Sequence, residues 1–224
     1  MENNKRLTIN NMFLKGLLAS LTTLFLMIGL VGVGFFVCCA PFTTTALSSS
    51  VSKWEESGLT HDEMVKAAET TRDYTVGSHN RSSVEVYEAL DADVLDHLDD
   101  VFNVVSTAQT MIIGVSAFGI VGCILIGLGM GRRALGKTLL AAPGVIMVLF
   151  VALALWVVID FNSFFTFLHS LFFVEGTWTF SYDSLLIRMY PTEFWVGMGG
   201  VWFACTFLSS ALCLILGTMI KGRK

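Results

Sequence analysis

The chain has 224 residues, 54% of them hydrophobic and only 14% charged, with a mean hydropathy of +0.69 and a net charge of -4. A negative balance of this size implies no nucleic-acid partner, which would call for clustered cations. Four stretches of more than 20 residues without Asp, Glu, Lys or Arg then place the protein: 16–40, 108–131, 138–159 and 194–220. A hydrocarbon layer of about 30 Å needs about 20 helical residues, so each stretch can span alone. The expectation is an all-α membrane protein, a four-transmembrane-helix bundle forming a single membrane domain over 1–224.

Lys5, Arg6 and Lys15 precede the first span. Arg132, Arg133 and Lys137 fill the second-to-third connection, and Lys221, Arg223 and Lys224 follow the fourth span. Short basic segments mark the cytoplasmic side, so both termini are expected inside. The connections at about 41–107 and 160–193 then form an extracytoplasmic, mostly helical cap with interfacial segments. They hold every one of the 18 acidic residues except Glu2, so the net charge is a sum of two opposite faces. The first span is too long for a secretory leader, and Val37 before Cys38 and Cys39 is bulkier than a lipoprotein cleavage site allows. The five cysteines, Cys38, Cys39, Cys123, Cys205 and Cys213, lie within or at the ends of spans. Neither a disulfide-stapled receptor nor a Cys-x-x-Cys thiol oxidase is expected, and the thiols read as small apolar residues.

In the first outer connection, 43–52 (TTTALSSSVS) and 75–83 (TVGSHNRSS) read as loops. Residues 54–73 show a weakly helical pattern with an acidic face, expected as a short helix on the membrane surface. A stronger helix is expected over 85–105, where Leu90, Val94, Leu98, Val101 and Val105 form one stripe. His97 borders that stripe. Asp93, four residues before it, and Asp100, three after, can flank the imidazole. Such carboxylates orient the ring and favour its charged form, which suits a general base, and the same pattern fits a surface histidine in an acidic helix.

Residues 160–174 (DFNSFFTFLHSLFFV) follow a complete span and hold six phenylalanines. Phe161, Phe164, Phe165, Leu168 and Phe172 share one helical face, opposite Ser163, Thr166 and Ser170, with His169 at the boundary. Such a segment lies in the headgroup plane, so His169 is either at the ester depth of the lipids or incidental to an aromatic belt. Farther on, a Ser-Tyr-Asp-Ser turn leads into a short apolar strand or helix with Arg188, beside Tyr190, Pro191 and Trp195. Arg188 can bind a carboxylate or phosphate, snorkel, or pair with Asp183 or Glu193.

Three motifs together resemble the bacterial lipoprotein intramolecular transacylases: His97-Leu98-Asp99-Asp100-Val101, Phe167-Leu168-His169-Ser170-Leu171-Phe172-Phe173, and Ser184-Leu185-Leu186-Ile187-Arg188-Met189-Tyr190-Pro191 running into Phe194-Trp195. One departure is Phe102, where a basic residue commonly follows in that family. The resemblance implies a multi-pass cell-membrane acyltransferase with its active site at the extracytoplasmic face. Its substrate would be a diacylglyceryl-modified lipoprotein, whose sn-2 acyl chain moves to the cysteine's α-amino group to give the lyso form. The resemblance further implies His97 and His169 as catalytic residues. Asp93, Asp100, Arg188 and Tyr190 are candidates to orient them or bind substrate. The attacking group is the substrate's own amine, so no enzyme nucleophile, cofactor or metal is called for. Membrane lipid is the other expected partner.

The rival reading is a non-catalytic tetraspan scaffold or sensor with an acidic outer domain, for which Asn80-Arg81-Ser82 offers a glycosylation triplet. Transport is weaker, because the span interiors lack ionisable groups apart from thiols. A metal site at His61, Asp62 and His79 or His97 lacks tight ligand spacing. Glycines in the spans, such as Gly29, Gly32, Gly127 and Gly197, are expected at helix contacts rather than along a lipid groove.

Overall fold

The computed structural model describes residues 11–222; Lys5, Arg6, Arg223 and Lys224, which enter the orientation argument, lie outside them. Among the described residues the chain forms eight α-helices, two 3₁₀ turns and no strand: α1 (Met12–Cys38), α2 (Pro41–Val51), α3 (His61–Thr75), α4 (Ala92–Gly129), α5 (Arg132–Ile159), α6 (Phe161–Phe172), α7 (Leu185–Met189) and α8 (Thr192–Gly222). The four long helices α1, α4, α5 and α8 are each long and apolar enough to cross a membrane. Helix α4 has 38 residues, about 57 Å at 1.5 Å per residue, so it outruns the hydrocarbon layer. Its last charged residue before the apolar stretch is Asp100, and the turns up to there carry His97 and four aspartates.

The chain divides into two compact units. Among the described residues the first comprises 11–34, 110–153 and 203–222. Its helices meet at small residues, as expected where lipid provides no hydrophobic drive for association. A Cβ on Gly122 would come within 2.2 Å of Thr22 Oγ1, and one on Gly32 within 2.3 Å of an Ile112 methyl. On the α5–α8 contact, a Cβ on Gly136 would sit 2.9 Å from the Gly217 carbonyl oxygen. Between α4 and α5 only Met130 and Gly131 intervene. Gly131 takes φ +88°, and its N–H donates to the Ile126 carbonyl at 3.0 Å, closing the end of α4.

The second unit comprises residues 35–109 and 154–202. Its core gathers Met64, Ala67, Ala68 and Tyr74 of α3, Val94 and Leu98 of α4, and Leu185, Leu186 and Met189 of α7, with Val84 and Leu90 from the intervening chain. Helix α3 starts at a capping box in which Thr60 and Glu63 satisfy each other's backbone N–H groups. Its apolar face is therefore buried in protein, where a surface helix over 54–73 was expected; Trp54–Glu56 form only a 3₁₀ turn. Residues 43–52, expected as a loop, belong mostly to α2. Pro41 opens that helix, and Thr45 and Ser50 hydroxyls return to the Pro41 and Ala46 carbonyls at 3.1 and 2.8 Å. Thr43, Thr44 and Ser48 are buried, so small polar residues serve as packing surface. The helix expected over 85–105 begins only at Ala92, because the chain before it is held in turns by Arg81. That guanidinium bonds Glu85 at 3.0 Å, Asp96 at 3.3 Å and also Asp99, which accepts a second hydrogen bond from the Tyr74 hydroxyl. Phe102, the departure from the motif, stacks on Tyr74 with centroids 5.8 Å apart.

Candidate active site

Both histidines named from the sequence lie in the second unit and are brought together there. His97, on the extramembrane turns of α4, is only 7% exposed, which overturns the surface-histidine alternative. Its imidazole stacks with that of His169, ring centroids 6.4 Å apart and planes 23° from parallel. Phe173 stands edge-on to His97 at 4.9 Å and lies 5.5 Å from His169. Phe180 flanks His97 at 5.4 Å, while Phe165 and Trp178 flank His169 at 3.8 and 4.9 Å. These aromatic groups come from α6, from Phe173 at its end and from the turn after Gly176, whose φ of +89° redirects the chain.

Helix α6 forms because Asp160 caps it, accepting from Ser163 N–H at 3.0 Å, and its Ser163, Thr166 and Ser170 face is exposed as the pattern requires. On this helix His169 Nδ1 lies 2.9 Å from the Phe165 carbonyl oxygen. A carbonyl only accepts, so the ring's proton sits on Nδ1, and Nε2 keeps its lone pair available to a substrate. His97 Nδ1 is buried with no hydrogen-bond partner.

Burial pushes both imidazoles below the ordinary histidine value: His97 to about 4, aided by the neighbouring His169, and His169 downward against the Phe165 hydrogen bond. Asp100 acts on His97 only through space, and too weakly to reverse the direction. The expected carboxylate brace is therefore not made. Asp93 and Asp100 are exposed, because a carboxylate keeps its hydration at the rim while a neutral ring can turn inward. The neighbouring Asp99, not singled out from the sequence, is the carboxylate that engages structure, through Arg81 and Tyr74.

Arg188 on α7 is half-buried. Its Nε is enclosed without a hydrogen-bond partner, and its backbone carbonyl accepts from Lys53 N–H at 2.9 Å. Glu193 pairs with Lys53 at 3.5 Å instead of with Arg188. Asp183 is held below the usual carboxylate range chiefly by Ser181, with Arg188 acting least. Tyr190 donates its hydroxyl to the Ala68 carbonyl at 2.6 Å, so it ties the chain after α7 to α3 and has no proton to spare for substrate. Burial raises its pKa further. Trp178, which the sequence reading passed over, presents a buried indole N–H with no acceptor. Its signal was an aromatic pair, Trp178 and Phe180, directly after a glycine turn. His61 and His79 are engaged elsewhere: His61 lies 2.9 Å from the Ser49 carbonyl oxygen, and His79 is 3.5 Å from Asp73.

A family profile described as lipoprotein intramolecular transacylase Lit matches residues 15–195. The chain belongs to that family. Among solved structures it is similar to the membrane-integral lipoprotein intramolecular transacylase of Bacillus cereus, with a TM-score of 0.82 at 17% identity over 94% of this chain and 97% of the other. Two structures of the same Bacillus cereus protein, each with one histidine substituted, match with TM-scores of 0.74 at 17% identity; one covers 93% of this chain and 92% of its own, the other 93% and 94%. No curated protein matches the chain significantly. Family membership makes the chain a multi-pass membrane acyltransferase of the transacylase kind acting on lipoproteins, and the rival non-catalytic tetraspan falls away.

Proposed function

We propose that the chain moves the sn-2 acyl chain of a diacylglyceryl-cysteine to the α-amino group of that cysteine, at the outer face of the cytoplasmic membrane. The observation that carries the reading is the stacked pair of buried imidazoles with one ring nitrogen pinned and another left without a partner. An α-amino group has a pKa near about 8 and attacks only when unprotonated. In this reading His97 takes the amine proton as the nitrogen bonds to the ester carbonyl carbon. The tetrahedral oxyanion then collapses, the bond from carbonyl carbon to glycerol oxygen breaks, and His169 delivers the proton to that oxygen. The products are an amide and a free secondary hydroxyl, so atoms and charge balance without a second substrate.

Two buried imidazoles this close hold a single extra proton between them, because a second charge would be repelled. That is the capacity a shuttle needs. Trp178 Nε1 and Arg188 Nε are buried donors lacking acceptors, and they are suited to the oxyanion and the lipid's polar groups respectively. Amine and ester sit on one molecule, which supplies effective molarities on the order of 10⁵ M or more once aligned. Asp93 and Asp100 keep at most a long-range role at the rim, and Tyr190 a positioning role through α3. The outward orientation is supported by charge: every described acidic residue lies in the second unit, whereas the charged residues described in the first are all basic.

The test is expression in a bacterial host unable to N-acylate lipoproteins, with mass spectrometry of one lipoprotein's N-terminal peptide. The wild-type chain converts diacyl to lyso form. His97→Asn and His169→Asn leave it diacyl while remaining membrane-inserted, and His61→Asn or His79→Asn convert it normally. Conversion by His97→Asn at near wild-type yield would remove the imidazole pair from the mechanism.

A further inference from the structure

An open-sided cavity of about 490 Å³ lies within the first unit, between α1 and α5. Ala19, Thr23, Leu24 and Met27 line it from α1, and Lys137 and Ala141 from α5. Of the three hydroxyls bordering it, Ser20, Thr23 and Thr138, two are turned to their own helices: Thr23 donates to Ala19 at 2.8 Å and Thr138 to Ala134 at 3.2 Å. With Ala19, Leu24, Met27 and Ala141 the floor suits hydrocarbon, and its size falls within the range of about 300–1,000 Å³ that small-molecule sites occupy. At the mouth stands Lys137, exposed, one turn after Arg133. Gly136 lets α8 approach until its missing Cβ would lie 2.7 Å from the Lys221 Cβ, which brings another cation to the same turn.

None of these charges meets a described acid. The described residues of the first unit carry Lys15, Arg132, Arg133, Lys137 and Lys221 and contain no Asp or Glu. Arg132 and Arg133 also open α5, the end of a helix where positive charge is disfavoured and an anion is welcomed. No described acid offsets this cluster, and beside a hydrocarbon-lined groove a lipid phosphate is suited to do so. A zwitterionic headgroup would bring its own ammonium into the cluster, so the charge balance selects a lipid with net negative charge.

We infer that this groove binds one anionic phospholipid of the inner leaflet, an acyl chain lying along α1 and α5 and the phosphate resting on Lys137. Basic pockets between membrane helices on the cytoplasmic side are suited to such headgroups. The site is independent of the imidazole pair and of the acyl-transfer reading.

The experiment uses the full chain, delipidated in detergent and titrated with phosphatidylglycerol or with phosphatidylcholine of the same chains, with bound lipid counted by native mass spectrometry. Wild type retains one phosphatidylglycerol in preference to phosphatidylcholine. Lys137→Gln lowers that retention by about fivefold, the loss of one interfacial cation, and Lys137→Arg keeps it. Ala141→Phe fills the groove and expels the lipid with every cation in place. Size-exclusion profiles matching wild type establish that the variants are folded; Lys137 is exposed, so Lys137→Gln alone suffices if the groove variant is not. Equal retention of the two lipids, or indifference to Lys137→Gln, overturns the inference. So does loss of the preference in millimolar inorganic phosphate, which would mark a plain anion site.

Discussion

Trp178 has a side chain whose only polar atom is buried and unspent, 4.9 Å ring to ring from His169. A buried donor without an acceptor costs free energy, and an oxyanion formed during turnover would recover it. Trp178→Phe keeps an aromatic ring against His169 and removes only the N–H. The expected result is a fall in kcat of about 10²–10³-fold with melting temperature unchanged; unchanged kcat would leave Trp178 as packing alone. The imidazoles give a second expectation, in pH. Between pH 8 and 6, log kcat/KM should fall with slope one as the substrate amine protonates near about 8. An ordinary histidine would add a second proton at 6.5, but His97, lowered to about 4, stays neutral past that point. Slope two should therefore appear only well below 6.5, and slope two already at 6.5 would contradict the burial. Stability follows the same sign. As pH falls from 6.5 toward 4 the unfolded chain takes up a proton that folded His97 refuses, so the melting temperature drops across that window, and less so in His97→Phe. At this scale the pairing of the histidines was legible because three motifs, weak singly, occur together in one order along the chain. Their surroundings were not: whether Asp100 or Phe173 touches His97 depends on side-chain burial, which helical spacing does not encode.

Helix α5 carries Pro143 fully buried in its middle, where the missing N–H leaves the Leu139 carbonyl without its usual partner. The Cys213 thiol of α8 supplies one, at 3.3 Å. Within a bilayer no water replaces that bond. Cys213→Ala should thus cost about 1–3 kcal/mol and lower the melting temperature in detergent, whereas Cys213→Ser, which keeps a donor, stays near wild type. Equal losses in both would reduce the thiol to a space-filler, the role its sequence position suggested. The four spans were readable because uncharged runs of this length have one stable environment. Elements of the second unit were less so. Helix α2 is built of Thr and Ser, which favour turns in isolation, and it is helical because Pro41 starts it and α3 buries its face. The 85–91 segment continues the apolar stripe of α4 yet is held as turns by Arg81, a long-range contact that periodicity cannot report. Arg81→Ala would release three carboxylates at once, Glu85, Asp96 and Asp99, from their shared cation.

At the scale of the molecule, charge separates with the fold. The first unit has basic residues and no described acid, the second holds all the described acids, and α1, α4, α5 and α8 each pass from one to the other. The proposed orientation puts the basic ends in the cytoplasm, the side that short basic segments favour. In that orientation the imidazole pair would meet the leaflet in which a lipoprotein's acylated cysteine resides after export. Ser57→Cys and Glu175→Cys, both in the second unit, and Arg133→Cys at the start of α5 test this in a variant whose five native cysteines are replaced, Cys213 by Ser. Reaction with a membrane-impermeant maleimide on intact cells is expected at positions 57 and 175, and at 133 only after permeabilisation. Labelling of position 133 in intact cells, with 57 and 175 protected, would invert the protein. The same imidazoles would then face a compartment where the proposed substrate is not displayed, and the acyl-transfer chemistry would need a substrate presented from the cytoplasm.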